Sequence, residues 1–334
     1  MAKKLLYMVV DTETATLAFA DEIAQGDAEI KKRIAIAKPL VYDIGWTICD
    51  RAGNIHDKKQ FLIAETFSVP SIFNTAYYAS KRPIYLEMLK RGETTVKPWN
   101  EVMDIFISDL KRVNAVGAFN AMFDHKKSIP FTELYINKLY SPDFYKWEEI
   151  QYKICERIAS GEKMPSNKEF DPNIFKFRGE EYALFDLWGL SVSHLLNNVT
   201  YKNKCLENGL LTNSGTFFKT SAESTYQYLM DKYDFVESHT ALDDAMIESY
   251  ILHRIAQKHA ITPGIKYFPF SDLGYTYDFC QRLKKPNLID CQIVYDKITS
   301  YIKDKEAQGV NNNYITRLYN VLKNLADYMG IPSE

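Results

Sequence analysis

The sequence predicts an α/β fold in which a mixed sheet of five strands is flanked by helices. Short apolar runs of strand length alternate with longer stretches whose apolar residues recur at helical spacing. The turn segment 50–54 separates two of the runs and predicts an antiparallel hairpin, whereas a helical segment precedes the fourth run. The 334 residues are 46% hydrophobic and 25% charged, which is typical of a globular protein with a sizeable core.

The first strand is the apolar run 5–13, and the later strands are rich in β-branched and aromatic residues. The predicted strands are 5–13, 40–49, 55–65, 115–119 and 182–187. The predicted helices are 18–37, 99–113, 147–159, 226–233 and a last one that runs from the segment at 239 to about 258. This order of elements mixes antiparallel and parallel strand pairs in one sheet.

Two domains are predicted, at residues 1–259 and 260–334, with insertions at about 14–39 and 131–181 in the first. The C-terminal extension shows two helical patterns, at 291–308 and 314–329. The second pattern carries apolar residues at near-heptad spacing, namely Ile315, Leu318, Leu322, Leu325 and Met329. A helical hairpin packed on its own domain is the simpler interpretation. The alternative is a surface for homo-oligomerisation or for docking a replication partner.

The first strand ends in Asp11 and Glu13, which are two residues apart and therefore point to the same face. Two further Asp-x-Glu pairs begin at Asp27 and Asp304 in polar, helix-like surroundings, so the spacing alone carries little information. Two acids at the end of a buried strand lose solvation free energy, which a divalent cation with oxygen ligands can offset. This pair is therefore a candidate metal site.

A second group of polar residues, Asn120 and Asp124, follows the fourth strand. At a strand-to-helix junction Asn120 is a natural N-cap, and a carboxylate at Asp124 complements the helix dipole, so both have a structural interpretation. Sites in open α/β sheets form at the carboxyl ends of strands, so Asp124 is also predicted to lie beside the end of the first strand.

A third group, His239, Asp243 and Asp244, begins the last helix of the α/β domain. Asp244 lies three residues before Ile247 and shares the apolar stripe, so it is expected to be buried and to need a partner. Asp243 lies about 100° round the helix and is expected to be a helix-start residue near water. His239 precedes the helix, and a loop could bring it to the same site.

Four carboxylates from three elements would repel one another and become protonated unless divalent cations bind. Two ions about 4 Å apart suit phosphodiester hydrolysis, because they can activate the attacking water and stabilise charge on the reacting oxygens. A histidine with a pKa near neutrality could accept the proton from that water. The pattern therefore favours metal-dependent hydrolysis of a phosphodiester.

The segments DTET (11–14), NAMFD (120–124) and HTALDDA (239–245) together resemble the three motifs of the DnaQ-like DEDD exonuclease family. The histidine five residues before the last aspartate is similar to the DEDDh branch of that family. The segments 42–55 and 219–229 resemble versions carried by bacteriophages. Three features depart from the family's usual pattern: the segment 14–39, the long span between Asp124 and His239, and residues 260–334.

The resemblance implies an RNase H-like fold and 3′→5′ removal of nucleoside monophosphates with two Mg²⁺ or Mn²⁺ ions. By this match the metal ligands are Asp11, Glu13, Asp124 and Asp244, and His239 is the general base. The implied contacts with the substrate come from Thr12 and Thr14 near the 3′ end, from Leu17 as an apolar wedge against the terminal base, and from Asn120, which also orients the second motif. The expected partner is single-stranded or 3′-terminal nucleic acid, with DNA favoured over RNA.

Two other functions stay open on the sequence: an RNA-trimming exoribonuclease, and a catalytically weak binding or regulatory protein on the same fold. The net charge of −2 does not favour a long, sequence-independent grip on duplex nucleic acid. The five cysteines lack the spacing of a metal site. The sequence shows neither a signal peptide nor a run of about 20 apolar residues, so a cytoplasmic location is expected, in the bacterial host if a phage encodes the chain.

Overall fold

The α/β class is confirmed by a computed structural model of the chain, in which a mixed sheet is flanked by helices. The structure describes residues 5–162, 171–196, 198–212, 217–261 and 288–309, together with Ile315, Leu318, Tyr319, Leu322, Lys323, Ala326 and Gly330. The architecture is broadly consistent with an RNase H-like fold.

The sheet contains seven strands, so the prediction of five was wrong. They are β1 (Leu6–Ala15), β2 (Leu40–Asp50), β3 (Ile55–Ile63), β4 (Thr95–Lys97), β5 (Ala115–Ala118), β6 (Ile174–Phe177) and β7 (Glu180–Asp186). Their order across the sheet is β4-β3-β2-β1-β5-β7-β6. The five predicted strands are the inner five. The two edge strands, β4 and β6, have only three and four residues, and unlike the equally short but fully buried β5 they contain no continuous apolar run that identifies a strand.

The strand pairing leaves the end of β1 open on one side. β1 runs antiparallel to β2 along its length, and β2 continues antiparallel to β3. On its other side β1 pairs in parallel with β5 only through Tyr7, Met8 and Val9. Asp11 and Glu13 therefore lie beyond the parallel ladder, at the carboxyl edge where the chain leaves β5.

The described helices are α1 (Ala20–Ala24), α2 (Ala28–Ala37), α3 (Ala64–Phe67), α4 (Pro70–Phe73), α5 (Arg82–Arg91), α6 (Trp99–Leu110), α7 (Ala121–Phe123), α8 (Ile129–Leu139), α9 (Phe144–Ala159), α10 (Leu187–Ser191), α11 (Val199–Asn208), α12 (Ala222–Met230), α13 (Ala241–Ala256) and α14 (Leu288–Ala307). A 3₁₀ turn spans Ala79–Lys81, and π-helical turns span Asp124–Ser128 and Val192–Leu196.

The single helix predicted at 18–37 is two helices. Gln25 and Gly26 have φ angles of 51° and 82°, in the left-handed region that ends α1. The Asp27 carboxylate then accepts hydrogen bonds from the backbone N–H groups of Glu29 and Ile30 and caps α2. The apolar periodicity continued across this break, which is why the sequence pattern did not show it.

The chain divides into two compact units: Met1–Gly189 with Val236–Lys266, and Leu190–Phe235 with Tyr267–Glu334. The first unit contains the sheet and α13. In the second unit Ile302 of α14 packs in an apolar cluster with Ile315, Leu318, Leu322, Tyr295 and Ile298. This packing is the one expected of a helical hairpin, whereas Leu325 and Met329 lie outside the described residues. None of the described helices is long and apolar enough to cross a membrane.

Helix α13 lies unusually close to the sheet, and a glycine makes this possible. A Cβ atom placed on Gly45 of β2 would lie 2.3 Å from the backbone nitrogen of Leu242. The Asp43 carboxylate, two residues earlier on β2, accepts a hydrogen bond of 3.0 Å from the Ala241 N–H and so caps the helix from the sheet. The first turn of α13 is thereby fixed against the centre of the sheet.

The substitution Gly45→Ala should therefore destabilise the fold by about 3 kcal/mol or more, because the new methyl group collides with backbone rather than with a flexible side chain. Gly92→Ala is the matched control, since a Cβ there meets nothing within 4 Å. It should cost only about 1–2 kcal/mol, for its left-handed backbone. Urea denaturation followed by tryptophan fluorescence measures both. Equal losses in the two variants would contradict the argument from close packing.

Candidate metal centre

Asp11 and Glu13 lie on the same face of β1 at its open end. Their partners across the antiparallel ladder are Gly45 and Asp43, so Asp11 lies opposite the position where α13 approaches β2. Glu13 is 9% exposed, and Asp43 is fully buried and holds hydrogen bonds from Gln60 and the α13 backbone. The floor of the site thus carries three neighbouring carboxylates.

Asp124 reaches the site from the π-helical turn that follows α7. It is 3% exposed, and its Oδ1 accepts a hydrogen bond of 2.6 Å from the hydroxyl of Thr12. The Thr12 hydroxyl is also 2.9 Å from that of Ser128. A π-helical turn inserts one residue into the helical repeat and often occurs at functional sites. The Thr12 side chain therefore positions Asp124. A contact between Thr12 and the 3′ end of a substrate stays a prediction.

Asn120 is the N-cap residue of α7, as predicted, but its side chain makes no capping hydrogen bond. Its backbone is left-handed, with φ of 75° and ψ of 54°, and its N–H lies 3.3 Å from the Asp186 Oδ1 that accepts it. Asparagine tolerates this conformation better than most residues. The left-handed turn redirects the chain from β5 towards Asp124, and contact between Asn120 and a substrate stays a prediction.

His239 and Asp244 complete a compact group with Glu13. One ligand atom from each of these three residues lies within 4.8 Å of the other two. His239 Nδ1 is 3.8 Å from Asp244 Oδ2 and 3.9 Å from Glu237 Oε2. Asp244 is 7% exposed and its Oδ1 has no hydrogen-bond partner. Asp11 and Asp124 lie outside this trio and interact with it electrostatically.

Asp243 has the structural role that its position on the helix predicted. It is exposed and accepts hydrogen bonds of 2.9 Å from the hydroxyls of Ser238 and Thr240. These bonds close the loop before α13. The two adjacent aspartates therefore have different surroundings, and only Asp244 faces the acidic group.

Sequence reasoning missed Glu248, a further acid of the site. It is 2% exposed, and one oxygen accepts a hydrogen bond of 3.0 Å from the Phe119 N–H at the end of β5. Glu248 follows Asp244 by one helical turn on the stripe that faces the sheet, so this spacing was the signal that could have revealed it. Asp43 and Asp186 were missed because single acids inside strands carry no motif.

Burial raises the pKa of every acid in the group, and the neighbouring carboxylates add to this effect. The pKa rises to about 7 for Asp124 and to about 7 for Asp244. Desolvation also raises the pKa of Asp11 and of Glu248 well above the ordinary range, and each is next raised by a facing carboxylate. Glu13 shows the same elevation, with Asp244 as its largest charged contributor after desolvation. The site therefore attracts positive charge.

Leu17 and Thr14, which were predicted to contact the substrate, differ in their exposure to solvent. Leu17 is 2% exposed, so its side chain packs in the core and presents no surface to a terminal base. Strand β1 continues through Ala15, which places the predicted insertion after the strand and keeps Leu17 close to it. Thr14 is half-buried in β1 opposite Val41.

The residues fit a divalent cation of the Mg²⁺ or Mn²⁺ type. Carboxylate oxygens are the ligands that these ions prefer. Asp244 has one buried oxygen without a hydrogen-bond partner, and one of its carboxylate oxygens lies within 4.8 Å of ligand atoms of Glu13 and His239. A bound cation would stabilise the ionised form of the whole acidic group.

Comparisons with protein-family models, with curated proteins and with solved structures found no match to this chain. Any functional conclusion therefore depends on the geometry and chemistry of the site.

The raised pKa values predict how the metal-free protein responds to pH. In the folded state Asp124 and Asp244 keep protons that the unfolded chain releases near pH 4. The contribution of these two acids to the free energy of unfolding is therefore fully present below pH 4 and is lost as the pH rises through about 7. Between pH 5.5 and 7.5 in EDTA, the free energy of unfolding should fall by about 2–5 kcal/mol, since each pKa unit corresponds to about 1.4 kcal/mol. Urea denaturation at the two pH values measures it.

Glu248→Gln serves as the comparison, because the amide can still accept the hydrogen bond from Phe119 but cannot ionise. Its free energy of unfolding should decline less with pH than that of the wild type. Mn²⁺ at pH 7.5 should restore wild-type stability by binding the folded state. A wild-type stability that is flat or rising over this pH interval would contradict the electrostatic account.

Proposed function

We propose that this protein is a metal-dependent 3′→5′ exonuclease that hydrolyses the terminal phosphodiester bond of nucleic acid. The observation that carries the proposal is the convergence of Glu13, Asp244 and His239 within 4.8 Å, bordered by Asp11 and Asp124. Buried acids around a histidine suit the binding of cations beside a phosphodiester and the removal of a proton from water.

Each of the five residues has a definite role in the proposal. Asp11, Glu13, Asp124 and Asp244 would hold the two cations. When bound, the cations would lower the pKa of the attacking water and stabilise charge on the phosphodiester oxygens. Thr12 keeps Asp124 in place through its hydroxyl, and Glu248 adds negative charge behind Asp11. The carboxylates thus supply binding and orientation.

His239 is proposed as the general base. It is partly exposed on the loop before α13, so a ring nitrogen can reach a water molecule that the buried carboxylates cannot. The Glu237 and Asp244 carboxylates lie on its Nδ1 side and would stabilise the protonated ring. These contacts support the choice of His239 as the group that would accept the proton from water.

The adjacent pair of aspartates offers a sharp test of activity. Asp244→Asn should lower the rate of degradation of a 5′-labelled single-stranded oligonucleotide in Mn²⁺ by about 100-fold or more, because it removes charge from the cation site. Asp243→Asn keeps an acceptor at the start of the helix and should stay within about threefold of wild type. Gel analysis of the shortened products also shows their direction. Equal losses in both variants, or no shortening from the 3′ end by the wild type, would reject the proposal.

The role of His239 is separable from that of the carboxylates. His239→Ala should reduce kcat by about 10²–10⁴-fold, the usual contribution of a general base. Mn²⁺ affinity measured by calorimetry should change little, whereas Asp244→Asn should weaken it. If His239→Ala weakens Mn²⁺ binding as much as Asp244→Asn does, His239 is a metal ligand instead. The same assay on single-stranded DNA, duplex DNA and RNA defines the preferred substrate.

A further inference from the structure

Three side chains from one short segment contact the loop that carries His239. Tyr78 precedes the 3₁₀ turn, Lys81 ends it, and Tyr85 lies in the first turn of α5. They are spaced three and four residues apart, which places them on one face of helical backbone.

Tyr78 stacks on the catalytic imidazole. The ring centroids of Tyr78 and His239 are 4.3 Å apart with an angle of 15° between the planes. Tyr78 is itself held between neighbours: the ammonium group of Lys81 lies 4.5 Å from its ring centroid, and Tyr77 meets it edge-on at 4.8 Å. One face of the imidazole is therefore covered by a ring whose own position is fixed.

The backbone of this loop is strained and is held from the same side. His239 has a φ of 50°, which costs a residue with a Cβ of order 1–3 kcal/mol and persists only where the surroundings enforce it. The Lys81 ammonium donates a hydrogen bond to the backbone carbonyl of Ser238. The Tyr85 hydroxyl lies 3.5 Å from the carbonyl of His239. The contacts bracket the strained residue on both sides.

We infer that Tyr78 is a positioning residue for His239, and that Lys81 and Tyr85 hold the strained loop so that the imidazole faces Glu13 and Asp244. The stacked ring fixes the plane of the imidazole, and the loop contacts fix its distance from the carboxylates. A general base must have the correct orientation and position to take a proton from water, so it depends on both the plane of the ring and its distance from the carboxylates. This inference deepens the proposed function and rests on it for its kinetic test.

The kinetic test uses the full-length chain, Mn²⁺ and a 5′-labelled single-stranded oligonucleotide. Tyr78→Ala should lower kcat by about 10- to 100-fold with KM and Mn²⁺ affinity within about twofold, whereas Tyr78→Phe, which keeps the ring, should retain the wild-type rate. In a His239→Ala background Tyr78→Ala should cause no further loss, because its effect acts through the missing imidazole. An additive loss, or a loss in Tyr78→Phe equal to that in Tyr78→Ala, would overturn the inference.

A second measurement does not depend on activity. In NMR spectra of the protein with labelled histidine, the ring resonance assigned to His239 by comparison with His239→Ala should carry a ring-current shift from Tyr78. Tyr78→Ala should remove this shift, whereas Tyr78→Phe, which keeps the ring, should keep it. An unchanged His239 resonance in Tyr78→Ala would overturn the contact. An inactive wild type with the shift intact would reject the proposed nuclease function and leave the contact supported.

Discussion

The candidate site depends on how closely helix α13 approaches strand β2. The helix backbone at Leu242 occupies the space that any side chain at Gly45 would need, and Asp43 anchors the helix end through the Ala241 N–H. This contact places Asp244 and Glu248 over the face of β1 that carries Asp11. A separation larger by the width of a methyl group would move the helical acids away from the strand acids.

A second constraint is the cost of keeping several carboxylates in one buried place. Their mutual repulsion and loss of solvation favour protonated forms in the metal-free protein, as the raised pKa values of Asp124 and Asp244 express. Hydrogen bonds hold two of these acids in place, from the Thr12 hydroxyl to Asp124 and from the Phe119 N–H to Glu248. A bound cation would offset this cost, which is the reason for proposing a metal site here.

Different elements of the fold supply the carboxylates and the histidine of the site. β1 supplies a rigid floor, the left-handed turn at Asn120 and the π-helical turn bring in Asp124, and α13 supplies the acids from above. The segment from Tyr78 to Tyr85 then reaches the loop that carries His239. Rigid elements thus hold the carboxylates, whereas a loop held by separate contacts carries the histidine.

The sequence by itself determined the five inner strands and the positions of Asp11, Glu13, Asp124, His239 and Asp244, because apolar periodicity and short motifs are local patterns. It also separated Asp243 from Asp244, since helical geometry distinguishes adjacent residues. Only the tertiary structure decided the two edge strands, the break in the helix at 18–37 and the burial of Leu17.

The tertiary structure also revealed the acids Asp43 and Glu248 and the stacking of Tyr78 on His239. Each of these contacts is between residues that are distant along the chain; Tyr78 and His239, for example, are 161 positions apart. No local pattern encodes such a contact, because it arises from the way the sheet brings separate elements to one edge. The short motifs identified the candidate site residues, and packing decided which side chains hold them in place.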